Sequence, residues 1–222
     1  MKVPNIAVID YGIGNLRSAV KALENSGASV ALTSDADVIA AADGVVLPGV
    51  GNFGACMREL RRAGLEDVAR QAALDDRPFF GICVGLQMLF EGSEESPGID
   101  GLGVIAGRVL RLPDTMKLPQ IGWNTVEVRD GSQLFAGVGA DAGTGTECAA
   151  GDPWVYFVHT YAAHADDPSV VGGWCEYGTR FVAAVEVDTL WATQFHPEKS
   201  SSVGLKLLRN FVGACAGAVV AA

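Results

Sequence analysis

Short apolar segments alternate with segments of helical period along the first half of the chain. Four of these apolar segments predict buried strands, at residues 6–9, 29–32, 45–47 and 79–82. Between them, apolar residues recur every three or four positions, as Leu16, Val20 and Leu23 do, which predicts helices. Further helices are predicted at 38–41, 53–60, 65–74 and from 86 onwards. Buried strands separated by helices predict an α/β fold with a mostly parallel sheet covered by helices.

The second half is rich in strands and poor in helices. Strands are predicted at 104–112, 125–128, 155–157, 170–174, 181–187 and 190–195, followed by one helix at 203–212. Such closely spaced strands favour a largely antiparallel arrangement that packs on the same core. Since no linker separates the halves, we expect a single domain over 1–222, with a flexible insert at 139–152, where Gly, Ala and Thr dominate.

The charge of the chain narrows the range of partners. Its 222 residues carry a formal net charge of −10, which disfavours nucleic acid and anionic membranes as partners. Since no apolar segment reaches the ~20 residues of a spanning helix, we expect a cytoplasmic protein. The five cysteines and three histidines lack CxxC and HxxxH spacing, so we expect free thiols, no metal and no cofactor.

One cysteine stands out because glycines flank it at the end of a strand. Residues 79–82 lead into Gly81-Ile82-Cys83-Val84-Gly85, and a helix is predicted to follow. This is the pattern of a nucleophile elbow, in which small neighbours allow a strained turn to expose the central side chain. The amino end of the following helix would favour the thiolate. A buried structural cysteine between packing glycines is the alternative.

A histidine and a glutamate follow the last predicted strand as His196-Pro197-Glu198. Residues two apart in an extended segment face the same side, so Glu198 can hydrogen-bond His196 and orient it as a general base. His159 is a rival base, but it lies among aromatic residues with no carboxylate nearby and fits a semi-buried or substrate-wall position better. We expect His164 in a polar, exposed turn.

Two glycine-rich loops follow other predicted strands. In Pro48-Gly49-Val50-Gly51, backbone N–H groups could approach a reacting carbonyl and, with the N–H of Val84, form an oxyanion hole. A phosphate loop or a plain turn would share this composition. The loop at 10–16 invites a dinucleotide interpretation, but Arg17 stands where the fingerprint needs glycine.

Together these segments resemble the class I, triad-type glutamine amidotransferases. Within that class they resemble the glutaminase subunits of imidazole glycerol phosphate synthase. The resemblance rests on segments that span nearly the whole chain, at 10–16, 48–54, 81–87, 119–124, 156–161 and 194–201. Val84 and Leu86 replace residues that are often Leu and Met in the family.

The resemblance implies hydrolysis of L-glutamine to glutamate and ammonia, with Cys83, His196 and Glu198 as the triad and the amides of Gly51 and Val84 as the oxyanion hole. It also implies glutamine contacts from Gln87 and Glu95. A (β/α)8 cyclase is the implied partner, in a heterodimer that serves histidine biosynthesis. Asn15, Trp123 and Lys199 are the implied interface or gating residues.

Three hypotheses remain open at this point. The first is the glutaminase subunit just described. The second is another class I glutaminase or a γ-glutamyl hydrolase, which partner identity would distinguish. The third is a catalytically silent binding subunit, which the presence of Cys83, His196 and Glu198 disfavours.

Overall fold

A computed structural model describes residues 2–138 and 151–217 of the chain. The strands are β1 Asn5–Ile9, β2 Ser29–Thr33, β3 Gly44–Gly49, β4 Phe79–Cys83, β5 Gly107–Arg111, β6 Gln120–Thr125, β7 Glu127–Val128, β8 Trp154–His159, β9 Tyr161–Ala165, β10 Val171–Glu176, β11 Arg180–Val187 and β12 Leu190–Thr193. The α-helices are α1 Leu16–Asn25, α2 Ala36–Ala41, α3 Phe53–Arg62, α4 Glu66–Leu74, α5 Val84–Met88 and α6 Ser201–Cys215. Two short 3₁₀ turns occupy Pro168–Val170 and Pro197–Lys199.

The main sheet joins a parallel part to an antiparallel part. Its order is β2-β1-β3-β4-β12-β11-β10-β7, and every pair from β2 to β12 is parallel. Beyond β12, the pairs β12–β11, β11–β10 and β10–β7 are antiparallel. Every residue of β3 and β4 is buried, because helices cover both faces of the parallel part. On one face α1 packs against α6, and on the other α4 packs against both α2 and α3.

The predicted α/β class, with its strand-rich second half, is confirmed. Two strands differ from the prediction. β9, which pairs with β5 and β11, was not predicted, because its sequence YAAHA contains three alanines and little β-propensity. β6, which pairs with β8 in a separate two-stranded sheet, begins five residues before the predicted strand, in a segment that Gly122 and Asn124 make weakly strand-like.

The predicted flexible insert at 139–152 lies outside the described part of the chain, except for residues 151 and 152, which are exposed. Within 2–138 and 151–217, none of the helices is long and apolar enough to cross a membrane.

Candidate active site

Three neighbouring parallel strands end at one edge of the main sheet. β4 lies between β3 and β12, with Gly49 opposite Cys83 and Thr193 opposite Ile82. Since the carboxyl ends of parallel strands meet at the same edge, this register brings together three segments far apart in sequence. They are the loop after β3, the cysteine that ends β4, and the residues that follow β12.

Cys83 occupies a backbone conformation that side chains rarely adopt. Its φ is 55° and its ψ is −109°, and α5 begins at the next residue. The flanking glycines make room for this turn. A Cβ on Gly85 would overlap the carbonyl oxygen of Leu47, and one on Gly81 would lie 3.0 Å from the carbonyl oxygen of Gly85. The strand-to-helix turn therefore has the geometry of a nucleophile elbow.

His196 and Glu198 form a buried pair beside this turn. Nδ1 of His196 lies 2.8 Å from Oε1 of Glu198, and the two side chains are 3% and 4% exposed. The local geometry differs from the extended segment that the spacing suggested. β12 ends at Thr193, and Glu198 lies in the 3₁₀ turn Pro197–Lys199. Ser200 stabilises this turn by donating a hydrogen bond of 2.7 Å to the carbonyl of His196.

The surroundings of His196 favour its protonated form. Burial alone lowers the pKa of His196, but hydrogen bonding and negative charge from Cys83 and Glu198 outweigh burial and raise it from 6.5 to about 9. At neutral pH the imidazole is therefore an imidazolium that faces the sulfur. Such a pair can attack an electrophilic carbon through sulfur and donate a proton to the leaving group.

These residues open into a cavity of about 470 Å³, a size suited to a small-molecule ligand. It is lined by Asn15, Val50, Gly51, Cys83, Val84, Gln87, Glu95, Pro119, Val158, His159, Thr160, Tyr161, His196 and Lys199. The set includes most of the site residues named from the sequence. Trp123 lies outside the cavity, on β6, where it is 49% exposed.

Buried donors hold the loop after β3. The hydroxyl of Tyr11 donates to the carbonyl of Pro48 at 2.7 Å, and the thiol of Cys56 donates to the carbonyl of Val50 at 3.4 Å. Burial raises the pKa of both Tyr11 and Cys56, so both keep their protons. Gly51 follows with a φ of 83°, which favours glycine. These two hydrogen bonds therefore hold the loop on its buried side, while Val50 and Gly51 line the cavity on the other side.

A family model described as "Glutamine amidotransferase class-I" matches residues 7–215. The chain belongs to the class I glutamine amidotransferases.

Curated relatives in this amidotransferase family match almost end to end. A protein of Methanothermobacter thermautotrophicus is 46% identical over 93% of this chain and 97% of its own length. One of Methylococcus capsulatus is 47% identical over 94% and 95%. Both are named imidazole glycerol phosphate synthase subunit HisH.

Solved structures show the same amidotransferase fold at low sequence identity. PurLQS from Thermotoga maritima superposes with a TM-score of 0.68 at 18% identity, over 96% of this chain and 99% of that one. A crystal structure of a glutamine amidotransferase gives 0.69 at 20% identity, over 95% and 98%. At this identity the likeness shows the fold alone.

Gln87 and Glu95, which are expected to contact substrate in this amidotransferase, also form hydrogen bonds within the protein. Glu95 accepts a 2.7 Å hydrogen bond from the backbone N–H of Phe53 and thereby holds the start of α3. Gln87 donates through Nε2 to the carbonyl of Tyr161 at 2.8 Å and to Oε1 of Gln194 at 2.9 Å. Both line the cavity, so each has a cavity-facing side and an anchored side.

The other two histidines of the amidotransferase are placed differently from each other. His159 is buried, with Nδ1 2.9 Å from the carbonyl of Tyr161, and burial lowers its pKa from 6.5 to about 4. It is therefore neutral, in keeping with a wall position. The expectation of an exposed turn was wrong for His164, which lies half-buried in β9 opposite Arg108. This strand could not be recognised because alanines surround His164 in it.

Two residues of the site received no role from the sequence. Gln194 is fully buried, with Nε2 3.7 Å from Sγ of Cys83, and Tyr11 supports the loop after β3. A polar residue between Thr193 and Phe195 in an otherwise apolar segment was the available signal for Gln194. As for metals, 2–138 and 151–217 contain no group of three or more His, Cys, Asp or Glu side chains that could hold an ion.

Proposed function

We propose that the chain is the glutaminase subunit of imidazole glycerol phosphate synthase, with Cys83 as nucleophile. The observation that carries the proposal is the identity of 46–47% to HisH subunits over more than nine-tenths of the chain. The cavity beside Cys83 and His196 supports it, because it offers the parts that amide hydrolysis needs.

The reaction follows from the charges and positions of these groups. The Cys83 thiolate attacks the γ-carbonyl carbon of glutamine, and the π electrons move to the oxygen. The N–H groups of Gly51 and Val84 stabilise this oxyanion. The tetrahedral intermediate collapses as the C–N bond breaks, and the His196 imidazolium gives its proton to the departing ammonia. The product of this half-reaction is a thioester on Cys83.

Hydrolysis of the thioester completes the cycle. Neutral His196 takes a proton from water, the hydroxide attacks the thioester carbon, and the C–S bond breaks to release glutamate and the thiolate. Glu198 holds the imidazole ring in position and stabilises its charged form. Gln87 and Glu95 contact the substrate through their cavity-facing sides.

A partner fits the surface next to the cavity. Ile121, Trp123 and Trp154 expose 62%, 49% and 51% of their area on the β6–β8 sheet. Trp123 packs edge-on against Tyr156 at 6.1 Å, and Lys199 lies 5.9 Å from the same ring. An exposed aromatic surface of this kind is typical of an interaction site. We propose that this surface and Asn15 dock a (β/α)8 cyclase in a cytoplasmic heterodimer.

Delivery to a docked partner has a chemical reason. Ammonia released into neutral water becomes ammonium, which has no lone pair for nucleophilic attack. A site that turns over only when the partner is docked avoids wasting glutamine.

The deciding experiment measures glutamine hydrolysis with the subunit alone and with the cyclase plus the nucleotide that the cyclase binds. We expect little activity alone and a large increase with both. Equal rates in the two states would favour an independent glutaminase or a γ-glutamyl hydrolase. Cys83→Ala should lose on the order of 10⁴-fold or more in turnover while still binding the cyclase. Retained hydrolysis would remove Cys83 from the mechanism.

The docking surface can be tested separately. Trp123→Ala should reduce stimulation by the cyclase while leaving alkylation of Cys83 unchanged. Leu74→Ala is the matched control, because Leu74 is 53% exposed at the end of α4, which leads to the opposite edge of the sheet. Equal stimulation of the two variants would refute this placement of the interface.

A further inference from the structure

The sulfur of Cys83 has an amide donor beside it that the mechanism above does not use. Gln194 follows β12 directly and is fully buried, and its Nε2 lies 3.7 Å from Sγ of Cys83, a length suited to the large sulfur atom. Its backbone is fixed by a 2.8 Å bond from its N–H to the carbonyl of Ala183. This side chain touches the reacting atom from the protein interior.

The orientation of this amide is set by a chain of hydrogen bonds. The carbonyl of Tyr161 can only accept, so Gln87 must face it with its amino nitrogen, at 2.8 Å. The same nitrogen donates to Oε1 of Gln194 at 2.9 Å. With its oxygen engaged there, Gln194 must turn its N–H toward Cys83. Nδ1 of His159, at 2.9 Å from the same carbonyl, anchors the end of the chain.

A fixed N–H beside sulfur favours the thiolate over the thiol, because charge strengthens a hydrogen bond to the acceptor. The helix after Cys83 has only five residues, so its dipole is small. The cations near the sulfur are His196 and, at the cavity rim, Lys199. An acidic side chain, that of Glu95, lines the same cavity.

Among the residues that the structure describes, the remaining titratable groups near the sulfur carry no positive charge. Tyr11 and Cys56 face it from beneath, and burial keeps both protonated. Glu198 lies behind His196. A neutral donor that is always present therefore adds to the effect of His196.

We propose that Gln194 is a further catalytic residue, whose amide N–H stabilises the Cys83 thiolate, and that Gln87 is the positioning residue that keeps this N–H turned to the sulfur. The proposal rests on Cys83 being the nucleophile of the proposed function.

Alkylation of Cys83 by iodoacetamide, followed by mass spectrometry of its peptide, tests this without glutamine or partner. The rate reports the thiolate fraction. Gln194→Met should shift the pH–rate profile of alkylation toward higher pH by about one unit, a tenfold loss of thiolate stabilisation that matches one hydrogen bond to a charged group. Gln194→Glu keeps the acceptor for Gln87 but turns an oxygen to the sulfur, so it should shift the profile further.

Two more variants separate the roles. Gln87→Met should slow alkylation in the same direction, whereas a residue that merely contacts substrate would leave it unchanged in the absence of glutamine. Gln120→Met is the matched control, because Gln120 is also buried but lies on β6 outside the hydrogen-bond chain, and its alkylation profile should match the wild type. Wild-type alkylation in folded Gln194→Met would overturn the proposal.

A second measurement needs no change at position 194. In the ¹⁵N-labelled wild type, the side-chain NH₂ resonance of Gln194 should move with pH, and Cys83→Ala should abolish the movement. A resonance that does not respond to pH in the wild type would also overturn the proposal. Failure of either test leaves glutamine hydrolysis by Cys83 standing, so the two proposals are separable.

Discussion

The turn that carries Cys83 depends on the absence of a single methyl group. Replacing Gly85 with alanine places a Cβ against the carbonyl of Leu47, which belongs to β3. β3 cannot easily retreat, because it is paired to β1 on one side and to β4 on the other. An overlap with fixed backbone costs up to about 3 kcal/mol, and alanine returns about 1 kcal/mol through helix propensity. The net loss is about 2 kcal/mol.

For a chain of this length, a loss of that size lowers the unfolding temperature by roughly 4–8 °C. Relief of the overlap also moves the end of β3 and the loop above it on the order of 1 Å, which should reduce glutamine hydrolysis about 10²-fold. The assays are thermal unfolding by circular dichroism and glutaminase turnover with the cyclase bound.

Gly213→Ala is the matched control for Gly85→Ala. Gly213 is also helical, in α6, and apart from its own helix no described atom lies within 4 Å of its added Cβ. It should raise the unfolding temperature by roughly 2–4 °C and leave turnover unchanged. If both variants gained stability equally, the account of the overlap at Leu47 would be refuted.

Further predictions concern buried polar groups. The pKa of His196 rises from 6.5 to about 9 on folding, so up to roughly 3 kcal/mol of stability should be lost as the pH rises from 6.5 to 9. Glu198→Gln should lose less stability over the same pH range. Urea unfolding at pH 6.5 and at pH 9 measures the loss in the two proteins. The pKa of His159 falls to about 4, so stability should instead be lost as pH falls from 6.5 to 4, and His159→Phe should remove most of that loss in the same assay. Tyr11→Phe leaves the buried carbonyl of Pro48 unpaired, so it should cost about 1–3 kcal/mol of stability in urea unfolding and should also lower turnover. An unchanged kcat would contradict a role of Tyr11 in holding the loop after β3. Asn210 donates to the carbonyls of Leu134 and Ala136 at 2.9 Å, so Asn210→Leu should cost at least as much stability without affecting the rate of Cys83 alkylation.

The sequence predicts those parts of the fold that local pattern determines. The apolar runs of β3 and β4 identify buried parallel strands, and the glycines around Cys83 identify the turn. β9 was not predicted because alanine has a low β-propensity. Its conformation is decided by pairing with β5 and by burial against β11. In that strand tertiary packing overrides local propensity.

In the site, too, contacts between residues close in sequence can be predicted, whereas contacts between distant segments cannot. His196 and Glu198 are close in sequence, so their contact could be foreseen, although a 3₁₀ turn forms it. The contact of Gln194 with Cys83 joins residues more than a hundred positions apart and depends on which strand lies beside β4. Sequence pattern does not determine strand order, so this partner could only emerge from the structure.

That strand order also has a consequence for the time course of folding. The pairing of β4 with β12 should form late, because Gly81 pairs with Ala192 and a long intervening chain has to be ordered before the two strands meet. Contacts between residues so far apart in sequence form slowly, because the chain loses conformational entropy before the contacts can stabilise it. Refolding of β1, β2 and β3 should therefore precede recovery of iodoacetamide reactivity at Cys83. The reactivity of Cys83 would then report the last stage at which the native topology closes.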